Sequence, residues 1–224
     1  MLNILFEDNH LLILNKKSGE LSQGDITNDK TLVDKAKSYL KAKYNKKGNV
    51  FIGLVHRLDR PTSGVIVLSK TSKSLRRMND KFKMNEISKV YWAVTNSFNK
   101  NEGKVESFLK KNQKQNKSYV VESNISGSKN AILYYRKLVD LKSYSLLEIK
   151  LETGRHHQIR AQLAYLGYPV KGDLKYGFPR SNVDKSIHLH ARYIEFLHPV
   201  TKKKIKIVAP LPNDKIWDLC LKCI

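Results

Sequence analysis

The chain alternates between segments of strand-like pattern and segments of helical spacing. The predicted strands share short apolar runs or period-two alternation, and they cover residues 3–7, 11–14, 65–68, 89–96, 131–138, 144–151, 187–196 and 204–209. The predicted helices share apolar residues three or four positions apart, and they lie around residues 32–40, 75–82, 159–166 and 214–221. Because the strands do not alternate regularly with helices, the pattern predicts an α+β fold with a mainly antiparallel, mixed β-sheet core flanked by helices and loops.

Two segments are left open by this pattern. The Lys- and Asn-rich stretch from residue 99 to 117 fits either a hairpin or a mobile loop. The stretch from residue 169 to 182 is rich in turn-forming residues and is predicted to be a loop.

The charge balance of the sequence indicates the kind of partner that the protein binds. Lysine and arginine outnumber aspartate and glutamate by 42 to 20, which gives a formal net charge of +22. Such an excess is expected to attract polyanions, because each phosphate neutralised by Lys or Arg releases a counterion. A codon bias could raise the Lys count but should not lower Asp and Glu, so nucleic acid is the favoured partner. The helix around residues 75–82 is then either an RNA-facing surface or an ordinary amphipathic helix.

The segment 56–64 contains one acidic residue, Asp59, close in sequence to three potential cations. The close sequence neighbours of Asp59 are His56, Arg57 and Arg60. Nearby positive charge favours the ionised form of a carboxyl group, which suits Asp59 to nucleophilic work. A Pro and a Gly mark a turn here, so Asp59 is predicted on a loop that enters the buried strand 65–68. The structural alternative is a salt-bridged strand edge.

A second polar group is predicted at the start of the helix around residues 159–166. Thr153-Gly154 should end the preceding strand. Arg160 follows His156 by four positions and His157 by three, so the three side chains are predicted to share a helical face. That face could receive an anion, because the free N–H groups and the dipole at a helix start favour negative charge.

The cysteines and the N-terminus argue for a reducing compartment. Cys220 and Cys223 are spaced as C-x-x-C, but no second pair completes a zinc site, so we interpret them as packing residues of a final helix. The chain starts without a signal-peptide pattern, and no apolar run approaches the ~20 residues of a membrane helix. We therefore expect a cytoplasmic protein without a membrane partner.

Three segments together resemble one enzyme family. His-Arg-Leu-Asp, two residues and Thr-Ser-Gly at 56–64 are similar to the signature of the RluA family of RNA pseudouridine synthases. Lys-Val-Tyr-Trp-Ala at 89–93 resembles the second motif of the family, and Leu-Glu-Thr-Gly-Arg-His-His-Gln-Ile-Arg at 151–160 resembles the third. The three occur in the family order, which is far more specific than any one of them.

The resemblance implies an activity and a set of site residues. It implies the pseudouridine synthase fold, with an active-site cleft across the sheet, and isomerisation of uridine in structured ribosomal or transfer RNA. Asp59 would be the catalytic carboxylate, Tyr91 would stack on the uracil and help to remove the C5 proton, and Arg160 would pair with Asp59. The residues that would contact the RNA are Arg57, Arg60 and His157. Arg57 would enter the base stack when the target nucleotide is flipped out.

The same resemblance implies no cofactor and no metal, because the reaction changes no oxidation state and transfers no group. We expect residues 1–224 to be a single catalytic domain, without an appended N-terminal RNA-binding domain, and the protein to be a monomer. The sequence departs from the family at Lys17, where a Pro is usual. Loss of that Pro restores an N–H and is expected to loosen the turn.

Two other functions compete with this one. A metal-dependent phosphoesterase could use a set of possible ligands that comprises Asp59, His156, His157, His188, His190 and His198. A non-catalytic RNA-binding protein or RNA chaperone could use the same basic surface and would not need Asp59.

Overall fold

Residues 2–24 and 29–224 are described by a computed structural model, and they form eleven strands, four α-helices and one 3₁₀ turn. The strands are β1 (Ile4–Glu7), β2 (Leu11–Lys16), β3 (Gly53–Leu54), β4 (Ser63–Ser69), β5 (Ser88–Asn96), β6 (Glu102–Asn112), β7 (Lys117–Val121), β8 (Ser128–Asp140), β9 (Tyr144–Leu151), β10 (Leu189–Leu197) and β11 (Lys204–Val208). The helices are α1 (Leu32–Lys43), α2 (Ser72–Lys83), α3 (Gln158–Tyr165) and α4 (Lys215–Lys222), and the 3₁₀ turn is Leu174–Tyr176.

The chain forms two compact units, one of residues 1–88 and 191–211 and the other of residues 89–190 and 212–224. In the first unit the strand order is β1-β2-β4-β10-β11, and β3 also pairs with β4. β2 and β4 are antiparallel, from Leu11 opposite Ser69 to Lys16 opposite Gly64. Their apolar residues are almost completely buried, which explains why both strands are continuous apolar runs in the sequence.

Gly64 is required by the packing of β4. Its φ is +116°, a backbone angle that residues with a Cβ rarely adopt, and a Cβ at this position would overlap the backbone of Ala191. The Gly of the Thr-Ser-Gly signature therefore allows two backbone segments of the first unit to approach closely. The loop that carries Asp59 precedes this point by only a few residues.

In the second unit the strand order is β5-β9-β8-β6-β7, and every neighbouring pair is antiparallel. The segment 99–117, which the sequence left open, contributes to the β6–β7 hairpin. Helix α3 covers one face of this sheet, where Ile159 and Leu163 pack in a buried cluster with Leu147 and Ile149. The buried face of α3 therefore fixes the helix that carries Arg160.

The prediction of an α+β fold with a mainly antiparallel sheet is confirmed. The predicted face shared by His156, His157 and Arg160 is wrong, because α3 begins only at Gln158. His157 is the N-cap residue in a left-handed conformation with φ 53°, so neither histidine lies within the helix.

The final helix matches the prediction in part. Cys220 is buried in α4, whereas Cys223 is exposed at its end, and both are free thiols. Among the helices described here, none has the length and apolar character that a membrane span requires.

Candidate active site

The loop that presents Asp59 is held by its own backbone carbonyls. The carbonyl oxygens of residues 58 to 62 each accept a hydrogen bond from the turn formed by residues 16–22. Ser18 Oγ donates to Pro61 O over 2.9 Å, and Ser22 Oγ donates to Leu58 O over 2.9 Å. Because five consecutive peptide units are fixed, the half-buried side chain of Asp59 leaves the loop from a defined position.

Lys16 is the centre of this arrangement. Its ammonium nitrogen lies within hydrogen-bond distance of the carbonyl oxygens of Lys17 at 3.1 Å, Asp59 at 3.2 Å, Arg60 at 3.1 Å and Thr62 at 2.7 Å, so its three N–H groups are shared among four acceptors. The side chain is fully buried at the end of β2. Burial lowers the pKa of Lys16 to about 8, against the opposing effect of the negative charges of Glu20 and Asp59.

The departure at Lys17 does not leave a free N–H in the turn. The backbone N–H of Lys17, which a Pro would lack, donates to Glu20 Oε2 over 2.9 Å. Glu20 also accepts a hydrogen bond from Lys35 Nζ at 2.6 Å. The restored donor therefore adds a contact, and the expected loosening of the turn finds no support in these bonds.

The basic neighbours of Asp59 have different surroundings. Arg57 is exposed, as a residue that contacts RNA must be. Arg60 Nη2 lies 2.7 Å from Asp29 Oδ2, and its Nε donates to Gly19 O, so Arg60 also ties the loop to the preceding turn. His56 Nε2 accepts a hydrogen bond from the Val67 N–H at 3.1 Å. A nitrogen that accepts carries no proton, so His56 is neutral in this contact.

Tyr91 lies in β5, in the second unit. It stands opposite Ile149 of β9 and is half-buried against the apolar cluster into which α3 packs. Its ring is therefore supported on one side by the core while part of the side chain stays accessible. This is the environment that a base-stacking tyrosine needs, and it would also suit a residue at the margin of the core.

Arg160 is fixed in α3 by a buried carboxylate. Its Nε donates to Asp173 Oδ2 at 2.6 Å and its Nη2 donates to Asp173 Oδ1 at 2.9 Å. Both side chains are at most 5% exposed. This two-point contact fixes the plane of the guanidinium group. Tyr176 lies beside the pair, with its ring centroid 5.0 Å from the guanidinium carbon.

His157 belongs to a set of stacked rings at the start of α3. Its ring stacks on His156 at a centroid distance of 3.8 Å, and its Nδ1 shares a hydrogen bond of 3.0 Å with the hydroxyl of Tyr176. His156 Nδ1 in turn contacts Ser118 Oγ at 2.9 Å. The motif histidines therefore connect α3 to β7 and to the segment that carries Asp173.

The predicted site residues are divided between the two compact units. Asp59, Arg57 and Arg60 lie in the first unit, and Tyr91, His157 and Arg160 lie in the second. Two residues of these groups were missed from the sequence, namely Lys16 and Asp173. A Lys at the end of an apolar strand was a usable signal for Lys16, but nothing in the local pattern distinguishes Asp173 from other loop acids.

The histidines proposed as metal ligands have other partners. His188 contacts Asn182 through Nδ1 and Asp214 through Nε2, each at 2.9 Å. His198 Nε2 lies 2.9 Å from Asp8. In residues 2–24 and 29–224 no three His, Cys, Asp or Glu side chains form a group that could hold a metal ion. The residues described therefore do not supply the ligand set of the phosphoesterase alternative.

Comparison with known proteins identifies a family. The model of the RNA pseudouridylate synthase family matches residues 10–165, a range that contains all three sequence motifs. The chain is 32% identical over 223 residues to the ribosomal large subunit pseudouridine synthase D of Zymomonas mobilis, across 95% of this chain and 70% of that protein. It is 35% identical over 198 residues to the protein of the same name from Borreliella burgdorferi, across 86% and 60%.

Solved structures agree on the fold. Human RNA pseudouridylate synthase domain containing 4 superposes with a TM-score of 0.81 at 24% identity, over 98% of this chain and 92% of that chain. Human RNA pseudouridylate synthase domain containing 1 gives a TM-score of 0.75 at 22% identity, over 98% and 87%. At these identities the likeness concerns the fold alone.

Proposed function

Because the chain belongs to the RNA pseudouridylate synthase family, we propose that it isomerises specific uridines of structured RNA with Asp59 as the catalytic carboxylate. Its activity is that of an RNA pseudouridine synthase, an intramolecular isomerase. The relatives from Zymomonas and Borreliella are named for the large ribosomal subunit, which makes ribosomal RNA the first substrate to test and transfer RNA the second.

The reaction defines what the site must supply. The N1–C1′ bond of uridine breaks, a C5–C1′ bond forms, the proton leaves C5 and N1 gains a proton. No electron acceptor and no transferred group is involved. The site therefore needs a carboxylate that acts on the nucleoside, a group that handles the C5 proton, and a pocket that holds the detached uracil while it turns.

The observation that carries the assignment of Asp59 is the fixation of its loop. Reactive groups must be held within a narrow range of positions, and five bonded carbonyls restrict this backbone more than a surface ion pair would require. Asp59 would attack the base, attack the sugar or remove the 2′ proton. The fixed loop serves each of these steps equally.

Tyr91 and Arg160 have complementary roles in the proposal. Tyr91 would stack on the uracil and assist the removal of the C5 proton. Arg160 would pair with Asp59, as the third motif implies, and favour its ionised form. The contact with Asp173 supports this role, because it fixes the orientation of the guanidinium group within α3.

The remaining assignments concern the RNA. Arg57 would enter the stack when the target nucleotide is extruded, since chemistry on a base requires access to it. Arg60 and His157 would contact the RNA near the target. We propose further that the protein acts in the cytoplasm as a monomer, that residues 1–224 form one catalytic domain, and that catalysis requires no cofactor or metal.

The substitution Asp59→Asn tests the proposal, because it keeps the shape of the side chain and removes its charge. Purified protein would be given ribosomal RNA and transfer RNA that carry ³H at uridine C5, and released tritium would report turnover. We expect Asp59→Asn to lose activity by at least about a thousandfold, with unchanged melting temperature and RNA affinity.

The matched control is Asp80→Asn, an exposed acid on α2 of the same unit, which should retain full activity. Comparable tritium release from the Asp59 and Asp80 variants would contradict the assignment. The non-catalytic RNA-binding alternative would then be favoured.

A further inference from the structure

A second charged cluster lies in the first unit around the carboxylate of Glu7. This group accepts hydrogen bonds from Tyr39 at 2.9 Å and Tyr44 at 2.7 Å, and it contacts Lys43 Nζ at 2.8 Å and Lys70 Nζ at 3.0 Å. Burial opposes ionisation of Glu7, but these hydrogen bonds outweigh it and lower its pKa to about 2. Glu7 is therefore ionised at neutral pH, and its carboxylate bonds two tyrosine hydroxyls and two ammonium groups.

The cluster carries more positive than negative charge. The ammonium groups of Lys43, Lys46 and Lys70 lie 5.4, 5.9 and 5.0 Å from the ring centroid of Tyr44, which is 48% exposed. The three ammonium groups thus outnumber the single carboxylate of Glu7, and the cluster is positively charged. Such an excess, held at an exposed ring, attracts an anion more strongly than mobile lysines would, because less side-chain entropy is lost on binding.

The surrounding segment extends the positive charge. Residues 35–47 contain six lysines and no acid, and all six are exposed. We call the following residues the α1 basic surface: Lys37, Lys41, Lys43, Tyr44, Lys46 and Lys47. Lys41 and Lys43 also suit the last turn of a helix, where cations are favoured. Lys46 and Lys47 lie beyond the end of α1, so that explanation does not cover them.

Strand register gives the separation from the Asp59 loop. The loop leads into β4 at Ser63, whereas Lys70 directly follows the other end of β4 at Ser69. Glu7 stands opposite Leu12, and Leu12 stands opposite Leu68 near that same end. Six residue steps along a strand cover about 20 Å. A ligand that reaches from the groups around Glu7 to the Asp59 loop must therefore span a distance of about this size.

We propose that the α1 basic surface binds the phosphate backbone of the RNA substrate on a stem that flanks the target uridine, so that the part of the surface beside Glu7 lies about 20 Å from the Asp59 loop. The inference rests on the proposed function, which makes RNA the polyanion at this surface. A single nucleotide cannot reach both places, whereas a short helical stem can. The surface would contribute affinity and not chemistry.

The test removes three charges from the part of the surface beside Glu7 and keeps the four side chains that bond the Glu7 carboxylate. The variant is Lys41→Gln, Lys46→Gln and Lys47→Gln, made in the Asp59→Asn background so that binding is measured without turnover. The control, Lys203→Gln, Lys204→Gln and Lys206→Gln, removes the same charge within and directly before β11 of the same unit. The probes are an RNA stem-loop of about 20 base pairs and one of about 5, whose stems are longer and shorter than the spacing.

We expect the surface variant to bind the long stem about tenfold more weakly at moderate salt. The slope of log affinity against log salt should fall by two to three, roughly one for each lost phosphate contact. Its affinity for the short stem should change less than twofold. The control should lose less than threefold on either stem, and unchanged melting temperatures would show that both variants fold.

Three outcomes would overturn the inference. Equal losses in variant and control would mean that only total charge matters. Equal losses of affinity for the long and the short stem would mean that the surface contacts RNA close to the target uridine and not a distant part of the stem. Tighter lysine-dependent binding to phosphatidylserine vesicles than to RNA would identify a membrane contact instead. Failure of the proposed function is separate, because the protein with Asp59 intact would then release no tritium whatever these affinities are.

Discussion

Lys16 shows how one charged side chain can organise a catalytic loop. In the folded protein its ammonium group is hydrogen-bonded to four backbone carbonyls instead of water, and three of these carbonyls belong to the loop of Asp59. A buried ammonium without such acceptors would be strongly destabilising, so the carbonyls and the charge require each other. Lys16 is therefore a positioning residue, because it acts on the reaction only through the loop.

The pKa of Lys16 leads to a test by pH. The pKa is about 8 in the folded protein and 10.5 in the reference state, so the unfolded chain binds more protons between these values. The free energy of unfolding should therefore rise with pH in this window. Activity should fall there, because a neutral amine has one donor fewer for the loop. Single-turnover rates and melting temperatures from pH 7 to 10 would check this.

A fall in activity that parallels a fall in melting temperature would contradict this role for Lys16. The control is Lys16→Met, which has no titrating group at this position. Its activity should be low at every pH, without the decline that begins near pH 8 in the unmodified chain.

Asp173 offers a second test at this scale. Asp173→Asn keeps one acceptor for Arg160 but removes the charge of its buried partner, which should destabilise the protein by about 3 kcal/mol. The single-turnover rate should fall at least about tenfold if Arg160 acts on Asp59, while RNA affinity should change little. Urea unfolding and tritium release would be measured together. A loss of affinity alone would instead make Arg160 a phosphate contact.

At the scale of elements, β4 and α3 hold the proposed site residues by different means. β4 is buried along its whole length and fixes the Asp59 loop through its register with β2. Helix α3 adds polar anchors to its buried apolar face, since Gln158 donates to Ile132 O and Gln162 donates to Ala131 O. Its start depends on tertiary contacts, because the N-cap residue His157 provides no side-chain cap.

Gly64→Ala tests the close approach at β4. The added methyl would overlap the backbone of Ala191, and φ of +116° adds strain, so we expect a loss of about 3 kcal/mol in the free energy of unfolding. Gly19→Ala is the control, because Gly19 also has a positive φ, of 85°, but has open space around it. Its cost should be about 1 kcal/mol. Equal effects in thermal unfolding would show that backbone strain alone explains Gly64.

At the scale of the whole molecule, the net charge of +22 should affect the affinity for RNA more than the rate of the chemical step. Affinity for RNA should fall steeply between about 50 and 200 mM monovalent salt, because bound phosphates release counterions. The single-turnover rate on saturating RNA should change less than about twofold, since charges inside a bound site are screened less than exposed ones. A rate that falls in parallel with affinity would contradict this separation.

Much of the fold was predictable because its signals are local. The apolar runs of β2 and β4 and the periodicity of α1 and α2 each depend on a few neighbouring residues, and the structure confirms these elements. The antiparallel arrangement followed from the order of the elements. The helical face predicted for His156, His157 and Arg160 was wrong, because their spacing brings them together only within a helix, whereas both histidines precede α3 and contact Ser118 and Tyr176.

The sequence by itself determined the class of fold, the polyanionic partner and the three motifs, since each of these depends only on residue types and their spacing along the chain. The tertiary structure decided which groups support those motifs. Lys16 meets carbonyls 43 to 46 positions away, and Asp173 meets Arg160 across 13 positions. Such partners are set by strand register and by the path of loops. A buried charge needs its partner in space, and no local pattern of residues specifies where that partner will be.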